Sequence, residues 1–186
     1  MNFAAEKRNL SDTRNTIEEE ALPLSSTKTI LVAYFSHSGN TREIATQIHK
    51  ILGGGIFKIQ ALKPYPRDYD AVVKQAKQEL DSGYNPALKT RVKNIKSYSL
   101  VFIGYPIWWY TIPAPVKAFL LEYDLSGKTI APFCTHGGSG LARSVADISI
   151  LCPRSTVLDG VAIWGREVKT AQNKVFEWVR KIKITK

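Results

Sequence analysis

The chain has 186 residues, 44% of them hydrophobic, which suffices for one domain with its own core and excludes a disordered chain. Its net charge is +10, but the basic side chains are scattered rather than gathered on a helix among stacking aromatics, so nucleic-acid binding is not expected. No apolar run reaches membrane-spanning length, Cys134 and Cys152 make neither a disulfide framework nor a metal site, and the three histidines lack ligand spacing, so neither a membrane span nor a metal is expected.

Residues 1–27 are polar and carry Glu18-Glu19-Glu20. They hold a net charge of −2, which leaves +12 for the remainder. Any helix over 12–21 has a thin apolar face, so this segment reads as an N-terminal extension outside the core, with one domain over 28–186. Residues 1–6 lack an apolar signal core, and two cysteines with no disulfide pattern read as reduced thiols, so a cytoplasmic location is expected.

In chain order, 29–35 is an apolar, β-branched and aromatic segment of strand length. A helix follows over 41–52, with Ile44, Ala45, Ile48, Ile51 and Leu52 at helical spacing, and Gly53-Gly54-Gly55 stops it. Residues 56–59 start a second strand, Pro64-Tyr65-Pro66 breaks it, and 68–82 is a helix whose stripe is Val72, Val73, Ala76 and Leu80. Residues 100–103 read as a strand buried on both faces. Pro113 and Pro115 suit the first turn of a third helix, continued by Val116, Phe119 and Leu120. Residues 130–134 read as a fourth strand despite Pro132, 141–150 as a helix, 156–164 as a fifth strand, and 173–181 as a closing helix with Val175, Phe176, Val179 and Ile182 inward. Five strands alternating with helices give an α/β fold with a parallel sheet, and right-handed crossovers make a three-layer αβα sandwich the simplest arrangement.

Three loops that leave strands one, three and four are unusual. Ser36-His37-Ser38-Gly39-Asn40-Thr41 joins a buried strand to a helix and carries small hydroxyls, one amide and one glycine. Such a turn aims N–H groups and hydroxyls at an anion, with the helix dipole adding to the attraction. The structural alternative is a polar turn with an N-cap. Pro106-Ile107-Trp108-Trp109-Tyr110 places three aromatics beyond a strand end, where a planar ligand or packing over the following helix would account for them. Thr135-His136-Gly137-Gly138-Ser139-Gly140 has three glycines, which either let backbone approach a ligand closely or make a flexible connector.

The first loop resembles the phosphate loop of flavodoxins, typically Thr/Ser-x-Thr/Ser-Gly-Asn-Thr, here with His37 in the variable slot. The resemblance covers about 28–183. It implies a flavodoxin-like fold with a five-stranded parallel sheet in the order 2-1-3-4-5, and FMN with its phosphate held by Ser36, His37, Ser38, Gly39, Asn40 and Thr41. It implies further that Pro106, Ile107, Trp108 and Trp109 flank the isoalloxazine ring, and that Thr135, His136, Gly137, Gly138 and Ser139 meet its pyrimidine edge. Electron transfer through this flavin is then the expected function. One form is an enzyme like the NAD(P)H-dependent quinone reductases, with a small acceptor such as a quinone. A second is a carrier between redox partner proteins, and a third is a flavin-free interaction module. The chain departs from acidic electron carriers in its +12 domain, and its third loop lacks their acidic Gly-Asp element and stacking tyrosine. A flavin potential less negative than theirs is expected if Arg143, or a protonated His136, lies close to the ring.

Overall fold

The computed structural model describes residues 29–184. The extension expected at 1–27 lies outside the described residues. The elements are β1 (Ile30–Tyr34), α1 (Asn40–Leu52), β2 (Gly55–Lys58), α2 (Tyr69–Ser82), β3 (Leu100–Pro106), α3 (Ala114–Glu122), β4 (Thr129–His136), α4 (Ser144–Leu151), β5 (Thr156–Val157), β6 (Val161–Trp164) and α5 (Gln172–Ile184), with 3-10 turns at Ile95–Ser97 and Gly165–Thr170. The strands run β2-β1-β3-β4-β5, all parallel, and β6 also pairs with β4.

The central strands are apolar along most of their length, so each side of the sheet carries its own core. Leu31, Ala33, Ile103 and Tyr105 pack with Val116 and Phe119 of α3 and Ile148 of α4. Val32, Tyr34, Phe102 and Phe133 pack on the opposite face with Ile44 and Ile48 of α1 and Val175 and Val179 of α5. Ile44 and Ile48 are fully buried, which stabilises the fold by about 1.5–3 kcal/mol each. Helix ends follow local chemistry. Gly53, with φ 66°, closes α1 by donating its N–H to the His49 carbonyl at 2.8 Å. Asp68 caps α2 by accepting from the Ala71 amide at 2.9 Å.

The fifth strand expected over 156–164 is two pieces, and Pro132 supplies the reason. The Ile130 carbonyl accepts from the Leu158 amide at 2.9 Å, so residue 130 turns its backbone groups toward the fifth strand. Two residues on, Pro132 faces the same way but has no N–H to donate, and the ladder lapses between β5 and β6. Gly160 fills the gap, and a Cβ there would stand 3.0 Å from the Pro132 carbonyl oxygen. Two further expectations are corrected. Phe176 is exposed rather than inward, because it lies about 100° around α5 from the Val175–Val179 stripe. Helix α4 starts at Ser144 rather than 141, after a turn in which Ala142 takes φ 46° and Ser144 donates to the Leu141 carbonyl.

Gly104 and Phe133 are partners across β3 and β4. The phenyl ring lies where a side chain on Gly104 would project, with its nearest carbon 2.1 Å from the position of a Cβ. The bare backbone at 104 lets a large ring fill the interior beside the site.

Candidate functional site

The loop between β1 and α1 is built around Gly39. With φ 100° it serves as the N-cap of α1, and no side chain caps the helix. Its amide donates to Ser36 Oγ at 3.1 Å, and its carbonyl accepts from Glu43 at 3.0 Å. The amides of Asn40, Thr41 and Arg42 belong to the first turn, where helix geometry offers no intrahelical acceptor. Thr41 is buried, and its hydroxyl lies 2.9 Å from that of Thr135. The Asn40 side chain lies against Gly165, where a Cβ would stand 2.8 Å from Nδ2. His37 and Ser38 are exposed, and His37 Nε2 donates to the Pro66 carbonyl at 2.8 Å.

The second loop is a hairpin. Trp108 and Thr111 exchange both backbone hydrogen bonds at 3.1 Å, and the two residues between them, Trp109 and Tyr110, have φ 49° and 63°. Positive φ at both centres is the mark of a type I′ turn, which normally calls for Asn-Gly. Trp108 is half-buried and meets Phe35 at 5.3 Å, Tyr65 at 5.1 Å and His37 at 6.0 Å between ring centroids, each at a steep angle. Trp109 leans on α2 rather than on the helix it introduces. Its indole N–H donates to the Val73 carbonyl at 3.0 Å, and Lys77 Nζ lies 5.7 Å over its ring. Thr111 donates its hydroxyl to Asp147, and the Arg143 amide donates to the Tyr110 carbonyl at 3.2 Å, which fastens the turn to α4. Pro106 and Ile107 are half-buried, and the Ile107 amide donates to the Thr135 carbonyl at 2.9 Å.

In the third loop Thr135 and His136 are buried, whereas Gly137, Gly138 and Ser139 are exposed. His136 Nδ1 accepts from the Gly138 amide at 3.0 Å, and its ring packs against Trp164 at 5.1 Å. Burial, helped by Lys174, holds its pKa below the ordinary value. A nitrogen that accepts a hydrogen bond carries no proton, so the imidazole is neutral and the positive charge considered at His136 is absent. Arg143 is paired too, its Nε 3.3 Å from Asp147, so its charge is partly offset. Cys134, just before this loop, is pushed up to about 12 by burial and does not supply a thiolate nucleophile.

The three loops meet at the carboxyl ends of β1, β3 and β4, where strand order reverses around β1 and β3. Thr41 to Thr135, Ile107 to Thr135 and Phe35 to Gly104 link them directly. Sequence reasoning missed four neighbours: Tyr65, Glu79, Trp164 and Arg166. The Tyr65 hydroxyl donates to Glu79 at 2.6 Å, and burial together with that carboxylate raises its pKa. The Arg166 guanidinium lies 4.5 Å over Trp164. Trp164 and Arg166 lie at the carboxyl end of the fifth strand and Tyr65 in the Pro-Tyr-Pro break, neither of which carried a motif, and Glu79 lies in α2 outside its apolar stripe. A cleft lined by Trp108, Glu79, Tyr84, Ile112 and Lys117 runs between the hairpin, α2 and α3, and takes in none of the first-loop or third-loop residues. Among the described residues no three His, Cys, Asp or Glu side chains group as metal ligands, and no helix is long and apolar enough to cross a membrane.

The chain resembles several proteins of known structure. A candidate flavoprotein from Bacteroides eggerthii is 30% identical with a TM-score of 0.68, over 80% of this chain and 98% of that one. A second, from Bacteroides uniformis, is 27% identical with a TM-score of 0.74, over 82% and 98%. A flavoprotein of Lactobacillus acidophilus solved in complex with FMN is 22% identical with a TM-score of 0.65, over 77% and 97%, and bears on the fold. An uncharacterised NAD(P)H oxidoreductase of Escherichia coli, YcaK, is 24% identical over 92 residues, and the chain spans about half the length of that relative. The family model of flavodoxins matches residues 29–182, and with the strand order and the three converging loops this places the chain in the flavodoxin family.

Proposed function

We propose that the chain binds FMN non-covalently at the three loops and works as an oxidoreductase, taking electrons from NAD(P)H and passing them to a small acceptor such as a quinone. The observation that carries this reading is the uncapped start of α1, enclosed by two other loops at one sheet edge. The first-turn amides and half-buried Ser36 and Asn40 offer hydrogen-bond donors and a helix dipole to a phosphate. The third loop is open at Gly137 and Gly140, where an added Cβ would meet nothing within 4 Å. The NAD(P)H oxidoreductase relative supports the choice of donor.

The flavin, when bound, supplies the electron chemistry. The protein binds, orients and shields. Ser36, Ser38, Gly39, Asn40 and Thr41 hold the phosphate end, with His37 tethering the loop to the segment at Pro66. Pro106, Ile107, Trp108 and Trp109 form the aromatic wall, and Thr135, His136, Gly137, Gly138 and Ser139 the opposite rim. Neutral His136 keeps that rim free of added charge. The basic charge of the chain does not favour a carrier of the acidic flavodoxin type.

Titration of the purified protein with FMN tests the reading. Quenched flavin emission that returns when Trp108 or Trp109 is replaced by alanine is expected, followed by bleaching of the flavin band on addition of NADH or NADPH. A colourless protein that leaves FMN emission unchanged refutes it and leaves the interaction module. Bound flavin that neither nicotinamide reduces leaves the carrier.

A further inference from the structure

The cleft between the hairpin, α2 and α3 holds two charged side chains that meet no counter-charge. Glu79 of α2 lines it and is only 8% exposed. Its carboxylate accepts from the Tyr65 hydroxyl at 2.6 Å and from Gln75 Nε2 at 2.8 Å. Both donors are neutral, and a carboxylate has capacity for further bonds. Lys117 of α3 lines the same cleft and is half-buried. Among the described residues neither side chain forms an ion pair, with the other or with any third group. The surface they share is largely apolar, made by Ala76, Leu80, Trp108 and Ile112. Charge drawn out of water onto such a surface is costly unless an opposite charge meets it.

We infer that this cleft binds a small zwitterion, with its ammonium at Glu79, its carboxylate at Lys117 and an apolar body against Trp108. A plain anion would be repelled by Glu79 and a plain cation by Lys117, whereas a ligand carrying both charges satisfies the two side chains together. The indole of Trp108 favours an aromatic body, since paired rings gain beyond the burial of their area. The cleft takes in none of the first-loop or third-loop residues, so the inference stands apart from the FMN reading.

The test is calorimetric titration of the purified protein with para-aminomethylbenzoate, a zwitterion built on one ring. Benzylamine, which lacks the carboxylate, and para-toluate, which lacks the ammonium, are titrated in parallel. Wild type should bind the zwitterion about ten-fold or more tightly than either analogue, as a charge-assisted bond to each end requires. Lys117→Met should bring the zwitterion down to the level of benzylamine and leave benzylamine unchanged. Glu79→Gln should bring it down to the level of para-toluate. If Glu79→Gln fails to fold, the Lys117 variant decides. Saturating FMN should not displace the zwitterion. Wild-type protein that binds none of the three compounds, or all three equally, overturns the inference. So does a Lys117→Met variant that keeps the margin over benzylamine, and so does displacement by FMN, which would put the probe in the three-loop site.

Discussion

The hydroxyls of Thr41 and Thr135 meet at 2.9 Å in the interior, 94 residues apart in sequence. This contact ties the first turn of α1 to the end of β4, so the phosphate loop and the glycine loop hold a fixed spacing. Thr41→Val leaves the Thr135 hydroxyl buried without its partner, which costs about 1–3 kcal/mol. The double variant Thr41→Val/Thr135→Val should cost less than the two single changes added. Urea denaturation of the three variants measures the coupling. Thr41→Ala and Thr135→Val should both weaken FMN more than riboflavin, since each slackens the same loop.

Gly104→Ala places a methyl group inside the Phe133 ring. Neither strand can back away without losing the ladder at the centre of the sheet. Destabilisation of about 1–3 kcal/mol or more is expected, read as a lower urea midpoint. Phe133→Leu in the same chain should return part of it.

Tyr110 holds φ 63° with its ring exposed, a conformation that costs a bulky residue about 1–2 kcal/mol and glycine little. Tyr110→Gly should therefore raise the melting temperature by about 2–4 °C in a chain of this size. The opposite result in a thermal melt would mean that the ring has packing of its own.

His136 sets a pH dependence. Its folded pKa is depressed below 6.5, so between the two values the unfolded chain binds the proton and the folded chain does not. Stability is full above about pH 6.5 and falls as pH drops below it. His136→Asn should flatten this slope in urea midpoints taken from pH 7.5 down to 5.5.

The order of the sheet and the three loops were legible because apolar runs, glycines and prolines are local signals. Within each loop the outcome was set by contacts that spacing does not encode. Thr41 and Thr135 read as separate ligand contacts, yet each faces the other. Trp109 read as a neighbour of the ring or of α3, yet its indole N–H reaches Val73 on α2. The charge on Arg143 read as available, yet Asp147 one turn later meets it. The break in strand five was visible in advance as Pro132, but which neighbour it would interrupt depended on the direction of its missing donor.

That break also shapes how copies of the protein meet. One border of the described sheet is β5 and β6, two and four residues long, and the other is β2, with four. Beyond β2, Ala61 bridges to Leu88, which covers the continuation of that border. Neither side offers a long row of unsatisfied backbone groups onto which another chain could add a strand. The lapse at Pro132 thus leaves this border in two short pieces, a form of edge that resists strand addition.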